Sequence, residues 1–120
     1  MKKLLFLIVL IITGISIFSA PLISVGAKMF TEGLVIGNMI SQLLQENGFK
    51  VKEEFGLTSF PLRAAIENGQ VDIYSDYTGT VWAAYFQNKE RIYDPYELFN
   101  RVAAEDYNKI GKISNIDYIT

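Results

Sequence analysis

Between residues 71 and 86 the sequence reads VDIYSDYTGTVWAAYF, and its middle carries side chains suited to holding a small charged molecule. Asp76 offers a carboxylate, Tyr77 an aromatic face, and Thr78 and Thr80 hydroxyls. The flanks are apolar: Val71 to Tyr74 predicts a short strand, and Val81 to Phe86 predicts a helix. A strand that turns into a helix presents backbone N–H groups and the positive end of a helix dipole, which suits an anion. An aromatic ring beside such a turn suits a cation. The combination predicts a site for both ends of one small zwitterion. A second turn, Lys28-Met29-Phe30-Thr31, follows the predicted strand 22–27 and adds a lysine and a further hydroxyl.

The elements that must position these turns can be read in order. After the first turn, Thr31 and Glu32 cap a helix expected over 33–47. There Val35, Ile36, Met39, Ile40, Leu43 and Leu44 recur at helical spacing as the inward face. Gly33 and Gly37, four apart, would allow that helix to lie close to a sheet. Asn47-Gly48 stops it, and 49–55 alternates as a half-exposed strand. Ser59 is the expected N-cap of a helix through Leu62, Ala65 and Ile66 that stops at Asn68-Gly69. Beyond the second turn, Asp94 at N-cap, Pro95 at N1 and Glu97 at N3 start a last helix carrying Leu98, Val102, Tyr107 and Ile110. Residues 112–120 show no clear element.

The order is β-α-β-α-β-α with a further helix. Such an order with short connections predicts an α/β fold with a parallel sheet. Ligands of parallel sheets sit beyond the carboxyl ends of the strands. The turns after the first and third strands would share that edge, which makes them one candidate site.

Residues 1–20 stand apart. Lys2 and Lys3 precede an unbroken apolar run from Leu4 to Ile12, and Ser16, Ser19 and Ala20 lead to Pro21. This is the pattern of a secretory signal peptide. The run is short for a membrane span, which takes about 20 residues. An uncleaved anchor is the alternative, and residues 4–18 would then keep a transient or residual membrane association. The expected organisation is therefore a signal peptide over 1–20 and one domain over 21–120, exported to the periplasm or the cell exterior.

The whole chain of 120 residues carries a net charge of −2, with 11 Lys and Arg against 13 Asp and Glu. Setting the leader aside removes two lysines and no acid, leaving −4 on 100 residues. That is enough chain for one modest core. Mild acidity without a basic cluster argues against a nucleic-acid partner. There is no cysteine and no histidine. This removes thiolate chemistry, disulfides and the commonest general base and metal ligand, so neither a metal nor a cofactor is expected. An exported hydrolase using Asp72 and Asp76 remains a rival on composition. The even spacing of these two carboxylates puts them on one face of a strand, but no nucleophile or metal set accompanies them, and Asp72 reads as structural. Trp82 and Tyr85, three apart on the following helix, read as core-facing.

The two turns also carry a family resemblance. VGAKMFTEGLVIGNM resembles the GSKNFTE opening, and DIYSDYTGT the D-[IL]-Y-x-E-Y-T-G-T segment, of the substrate-binding proteins of ABC transporters for glycine betaine, carnitine and choline. ENGFKVKEEFGL and LRAAIENGQVDIY fit the spacing between them, and the resemblance covers roughly residues 22–110. It implies a type II periplasmic-binding-protein-like lobe of a two-lobed fold that closes on ligand, with a permease as partner and no enzymatic activity. It implies that Lys28 and Thr80 hold a ligand carboxylate and that Tyr77 is one wall of a cage for the quaternary ammonium. Thr31 and Asp76 complete the expected ligand-binding set. Met29 stands where the family usually has Asn, and Asp76 where it often has Glu. The resemblance also implies an incomplete first lobe, a truncated form whose second lobe could come from another chain. A non-binding remnant or a membrane-tethered interaction domain is the competing expectation.

Overall fold

The computed structural model describes residues 19–110; the expected signal peptide and the last ten residues fall outside them, apart from Ser19 and Ala20. The chain runs β1 (Leu22–Lys28), α1 (Thr31–Glu46), β2 (Lys50–Leu57), α2 (Ser59–Glu67) and β3 (Ile73–Tyr74). A helical turn, Thr78–Thr80, then passes directly into a π-helical stretch, Val81–Tyr85, the two together called α3 here. The last element is α4 (Pro95–Ile110). The expected order and the parallel sheet are both present: three parallel strands in the order β2-β1-β3.

β1 is the central strand and the most buried, with Ser24 to Lys28 closed off from solvent. It pairs with β2 from Leu22↔Lys50 to Lys28↔Leu57, with one irregularity between Ala27 and Lys28. Gly56 sits at that bulge with φ +81°, a conformation that glycine adopts without a Cβ clash. The bulge ends the regular ladder where Lys28 enters the site.

β3 is two residues long, shorter than the apolar run Val71–Tyr74 predicts. The cause is Asp72. Its carboxylate Oδ2 accepts the Ser24 N–H at 2.8 Å, and its own N–H donates to the Ser24 carbonyl at 2.9 Å. A side chain thus takes the donor that a longer ladder would use. The structural role expected for Asp72 is borne out, and its carboxylate is committed to the backbone of β1.

The inward face of α1 differs from the expected one. Gly33, Gly37 and Ser41 are the buried stripe, while Val35, Met39 and Leu43 are more than half exposed. The close approach of the helix explains this. A Cβ on Gly37 would come within 2.7 Å of the Ala27 Cβ and 3.1 Å of Phe55, and one on Gly33 within 2.9 Å of the Lys28 carbonyl. Glycines and a serine set the distance; the expected Ile36, Ile40 and Leu44 are half-buried beside them, and Val35, Met39 and Leu43, two positions from the buried stripe, turn outward. The helix also starts at Thr31, with Phe30 as its N-cap and no side-chain cap; Thr31 and Glu32 do not cap it. On α2 the N-cap is Thr58, one residue before the expected Ser59, because the extended Thr58 carbonyl accepts the first helical N–H, from Leu62, at 3.0 Å.

Two small cores flank the site. Leu62, Ala65 and Val71 form one under the sheet, with Leu57, Ile66 and Tyr74 against them. Val81, Trp82 and Val102 form the other between α3 and α4, with Tyr85, Phe86, Ile92 and Leu98 around them. Trp82 is core-facing as expected, and its indole N–H donates to the Glu90 carbonyl at 3.0 Å. The expected start of α4 is present: the Glu97 N–H donates to Asp94 Oδ1 at 2.7 Å.

Candidate functional site

The turns after β1 and β3 meet at the carboxyl edge of the sheet. Lys28, the last residue of β1, is only 5% exposed, and its Nζ donates to Asp76 Oδ1 at 2.5 Å. Such a pair persists only when its remaining hydrogen bonds are made. Asp76 meets that condition. Oδ1 also accepts the Tyr77 N–H at 2.7 Å, and Oδ2 accepts the Tyr85 hydroxyl at 2.9 Å. The Tyr77 N–H at the start of α3, where an anion was expected, is therefore taken by the chain's own carboxylate.

In front of this pair lies a shallow cavity of about 60 Å³, lined by Lys28, Phe30, Glu32, Gly33, Ile36, Ser75, Asp76 and Tyr77. Two aromatic rings stand at its mouth. Phe30 and Tyr77 are nearly parallel, 13° between planes and 6.3 Å between centroids. Both are exposed, Tyr77 to half of its surface. The Tyr77 hydroxyl donates to Glu32 in the first turn of α1, which raises the tyrosine's pKa. The mouth therefore has ring faces and a carboxylate, and the floor has an ammonium already held by a carboxylate. Ring faces with a nearby anion suit a quaternary ammonium, which has no N–H to donate and gains from cation–π contact.

Of the residues singled out in the sequence, Lys28, Asp76 and Tyr77 come together at this cavity. Thr31 is exposed at the start of α1, and Thr80 is half-buried at the end of the first turn of α3; neither lines the cavity. Phe30, Glu32 and Tyr85 were missed as site residues. Phe30 and Glu32 lie inside the very motif that marks Lys28, so the signal was present in the spacing. Tyr85 had no such signal, because its approach to Asp76 depends on the π-helical turn. Phe86 N–H donates to the Val81 carbonyl at 3.0 Å, five residues back, and this wider turn sends Trp82 to α4 and Tyr85 to the site.

A second charged cluster stands behind the first. The buried Arg63 on α2 donates to Glu67 at 2.6 Å and forks onto Asp106 of α4, with one branch at 3.1 Å. Burial opposes the Arg63 charge, but these bonds outweigh it and hold the guanidinium protonated. Its central carbon lies 5.4 Å from the Tyr85 ring centroid. Tyr74 is pushed up to about 12, first by burial and then by the negative charge of Asp76. Among the described residues no group of His, Cys, Asp and Glu could hold a metal ion, and no helix is long and apolar enough to cross a membrane.

Comparison with known proteins gives a consistent result. The family described as the substrate binding domain of ABC-type glycine betaine transport system matches residues 21–112. The glycine betaine-binding protein YehZ of Escherichia coli is 31% identical over 110 residues, covering 91% of this chain and 34% of that protein. A glycine-betaine-binding protein of Pseudomonas aeruginosa is 36% identical over 87 residues, 72% of this chain and 28% of its own. The ergothioneine transport permease/ergothioneine binding protein EgtU of Helicobacter pylori is 27% identical over 90 residues, 73% of this chain and 16% of its own. The structure of apo YehZ superposes with a TM-score of 0.67 at 30% identity, over 77% of this chain and 33% of that one. The chain spans about a third or less of the length of each of these relatives, and over that span the expected binding-protein lobe is borne out.

Proposed function

The chain belongs to the family of substrate-binding domains of ABC-type glycine betaine transport systems, and we propose that it is an exported binding module for a quaternary ammonium osmoprotectant such as glycine betaine or choline. The observation that carries this reading is the meeting of Lys28 and Tyr77, 49 residues apart along the chain, at one cavity. In it the ring face of Tyr77, with Phe30 stacked beside it, receives the trimethylammonium group, and Lys28 faces the carboxylate of a betaine. Asp76 contributes from behind, by holding Lys28. Thr31 and Thr80, at the rims of the two turns, supply hydroxyls once the site closes.

Closure needs a covering surface, since the cavity is shallow and Tyr77 half exposed. A second lobe, from elsewhere in the assembly, supplies it in this reading and adds further cage walls. The partner downstream is an ABC permease, and no nucleic acid takes part. Binding without catalysis fits the carboxylates: Asp72 is committed to Ser24, and Asp76 to Lys28, Tyr77 and Tyr85. Calorimetric titration of the full chain with glycine betaine, choline and unmethylated glycine tests the reading. Heat with the methylated ligands and none with glycine supports it. No heat with any of them, or equal heat with glycine, refutes it.

A further inference from the structure

We propose that Tyr85 is the positioning residue of this site: its hydroxyl fixes the Asp76 carboxylate so that Asp76 holds Lys28 at the cavity floor, and Arg63 fixes the tyrosine ring. The two oxygens of Asp76 are used unequally. Oδ1 takes both Lys28 and the neighbouring Tyr77 N–H. Oδ2 is oriented by the Tyr85 hydroxyl at 2.9 Å. Without that donor the carboxylate can turn about its last bond, a soft torsion in aspartate, and Oδ1 swings away from Lys28.

The ring carrying this hydroxyl is clamped on several sides. The Arg63 guanidinium lies 5.4 Å from its centroid, and Phe60 meets it edge-on at 5.5 Å and 73°. Lys28 Nζ stands 6.0 Å from the same centroid. The Ser59 carbonyl, 3.1 Å from the hydroxyl, competes for its single proton, and the charged, nearer Asp76 carboxylate at 2.9 Å is the stronger acceptor. Arg63 is anchored on α2 by Glu67 and on α4 by Asp106. A line of alternating charges and one ring thus runs Asp106, Arg63, Tyr85, Asp76, Lys28. Burial, and then the bond to Asp76, push the Tyr85 hydroxyl above the usual tyrosine range. It therefore remains a protonated donor throughout the neutral range.

The consequence for ligand binding rests on the reading above, in which Lys28 faces the ligand carboxylate; the effect on Lys28 itself can be read without ligand. The test is limited acetylation of lysines in the full chain, read by peptide mass spectrometry for Lys28 and for the exposed reference Lys52. Tyr85→Phe keeps the ring and removes only the hydroxyl, and Asp76→Asn sets the upper limit for a released Lys28. Tyr85→Phe is expected to speed acetylation of Lys28 about tenfold, the size expected for one lost bond to a charged group, with Lys52 unchanged. In the Asp76→Asn background, Tyr85→Phe is expected to add nothing. A merely structural ring would leave Lys28 as protected in Tyr85→Phe as in the wild type, and that result overturns the proposal. An equal rise at Lys52, which means general loosening, overturns it too. Glycine betaine added to the wild type should slow Lys28 further. If it does not, the osmoprotectant reading fails while the Tyr85 result stands.

Discussion

The turn after β1 and the turn after β3 meet in one ion pair, but steric contact fixes the first and hydrogen bonding the second. Lys28 is placed by its backbone: the bulge opposite Gly56 ends the ladder there, and Gly33 of α1 lies against its carbonyl with no room for a Cβ. Asp76 and Tyr77 lie between a two-residue strand and a π-helical turn, and side-chain bonds to Lys28, Tyr85 and Glu32 hold them. A site assembled from one rigid and one polar half should respond to different perturbations on its two sides. The polar half should answer to charge and pH, and the steric half to volume.

The largest expected effect breaks the junction itself. Lys28→Met leaves a buried carboxylate without its cation and should cost about 3 kcal/mol of stability, measured by urea denaturation. A loss under about 1 kcal/mol, the level of an exposed pair, would mean the junction is not a desolvated one. Next comes the pH response of the polar half. Because burial and Asp76 raise Tyr74 to about 12, the folded state holds its proton more tightly than the unfolded chain. Its contribution is present in full below about pH 10 and is lost as pH rises toward 12, on the order of 2–3 kcal/mol at about 1.4 kcal/mol per pKa unit. Denaturation between pH 9 and 12 should show that decline, and Tyr74→Phe should lessen it, leaving the part that the raised Tyr85 contributes.

The steric half has its own probe. Gly33→Ala drives a methyl to within 2.9 Å of the Lys28 carbonyl and should cost roughly 1–3 kcal/mol, the range for overpacking, with no dependence on pH. A pH-dependent loss there would blur the distinction between the two halves. The smallest effect is a control at a distance. Asp94→Ala removes the cap bond to the Glu97 N–H and should cost about 1 kcal/mol without altering ligand affinity.

How far the sequence reached depends on the range of the interaction concerned. The order of strands and helices follows from local periodicity and stop residues, and the placing of the two turns at one edge follows from that order. The facing of α1 was legible in part: Gly33 and Gly37 marked the close approach to the sheet, but only contact with Ala27 and Phe55 leaves Val35, Met39 and Leu43 outside. The shortness of β3 was hidden as well, since nothing local says that the Asp72 carboxylate will take the Ser24 N–H. The π-turn has no residue signature, and with it went the approach of Tyr85 to Asp76. Lys28 and Asp76 were each marked by their motifs, but their pairing across the sheet edge was not.

The central claim is that the two turns form one site in which Tyr77 faces the cation. The most direct test is the glycine betaine dissociation constant of the full chain carrying Tyr77→Ala, set beside wild type and beside Tyr107→Ala on the exposed side of α4. Loss of a cation–π contact of about 2 kcal/mol predicts a weakening of roughly thirtyfold for Tyr77→Ala and none for Tyr107→Ala. Equal affinities in all three proteins would contradict the account.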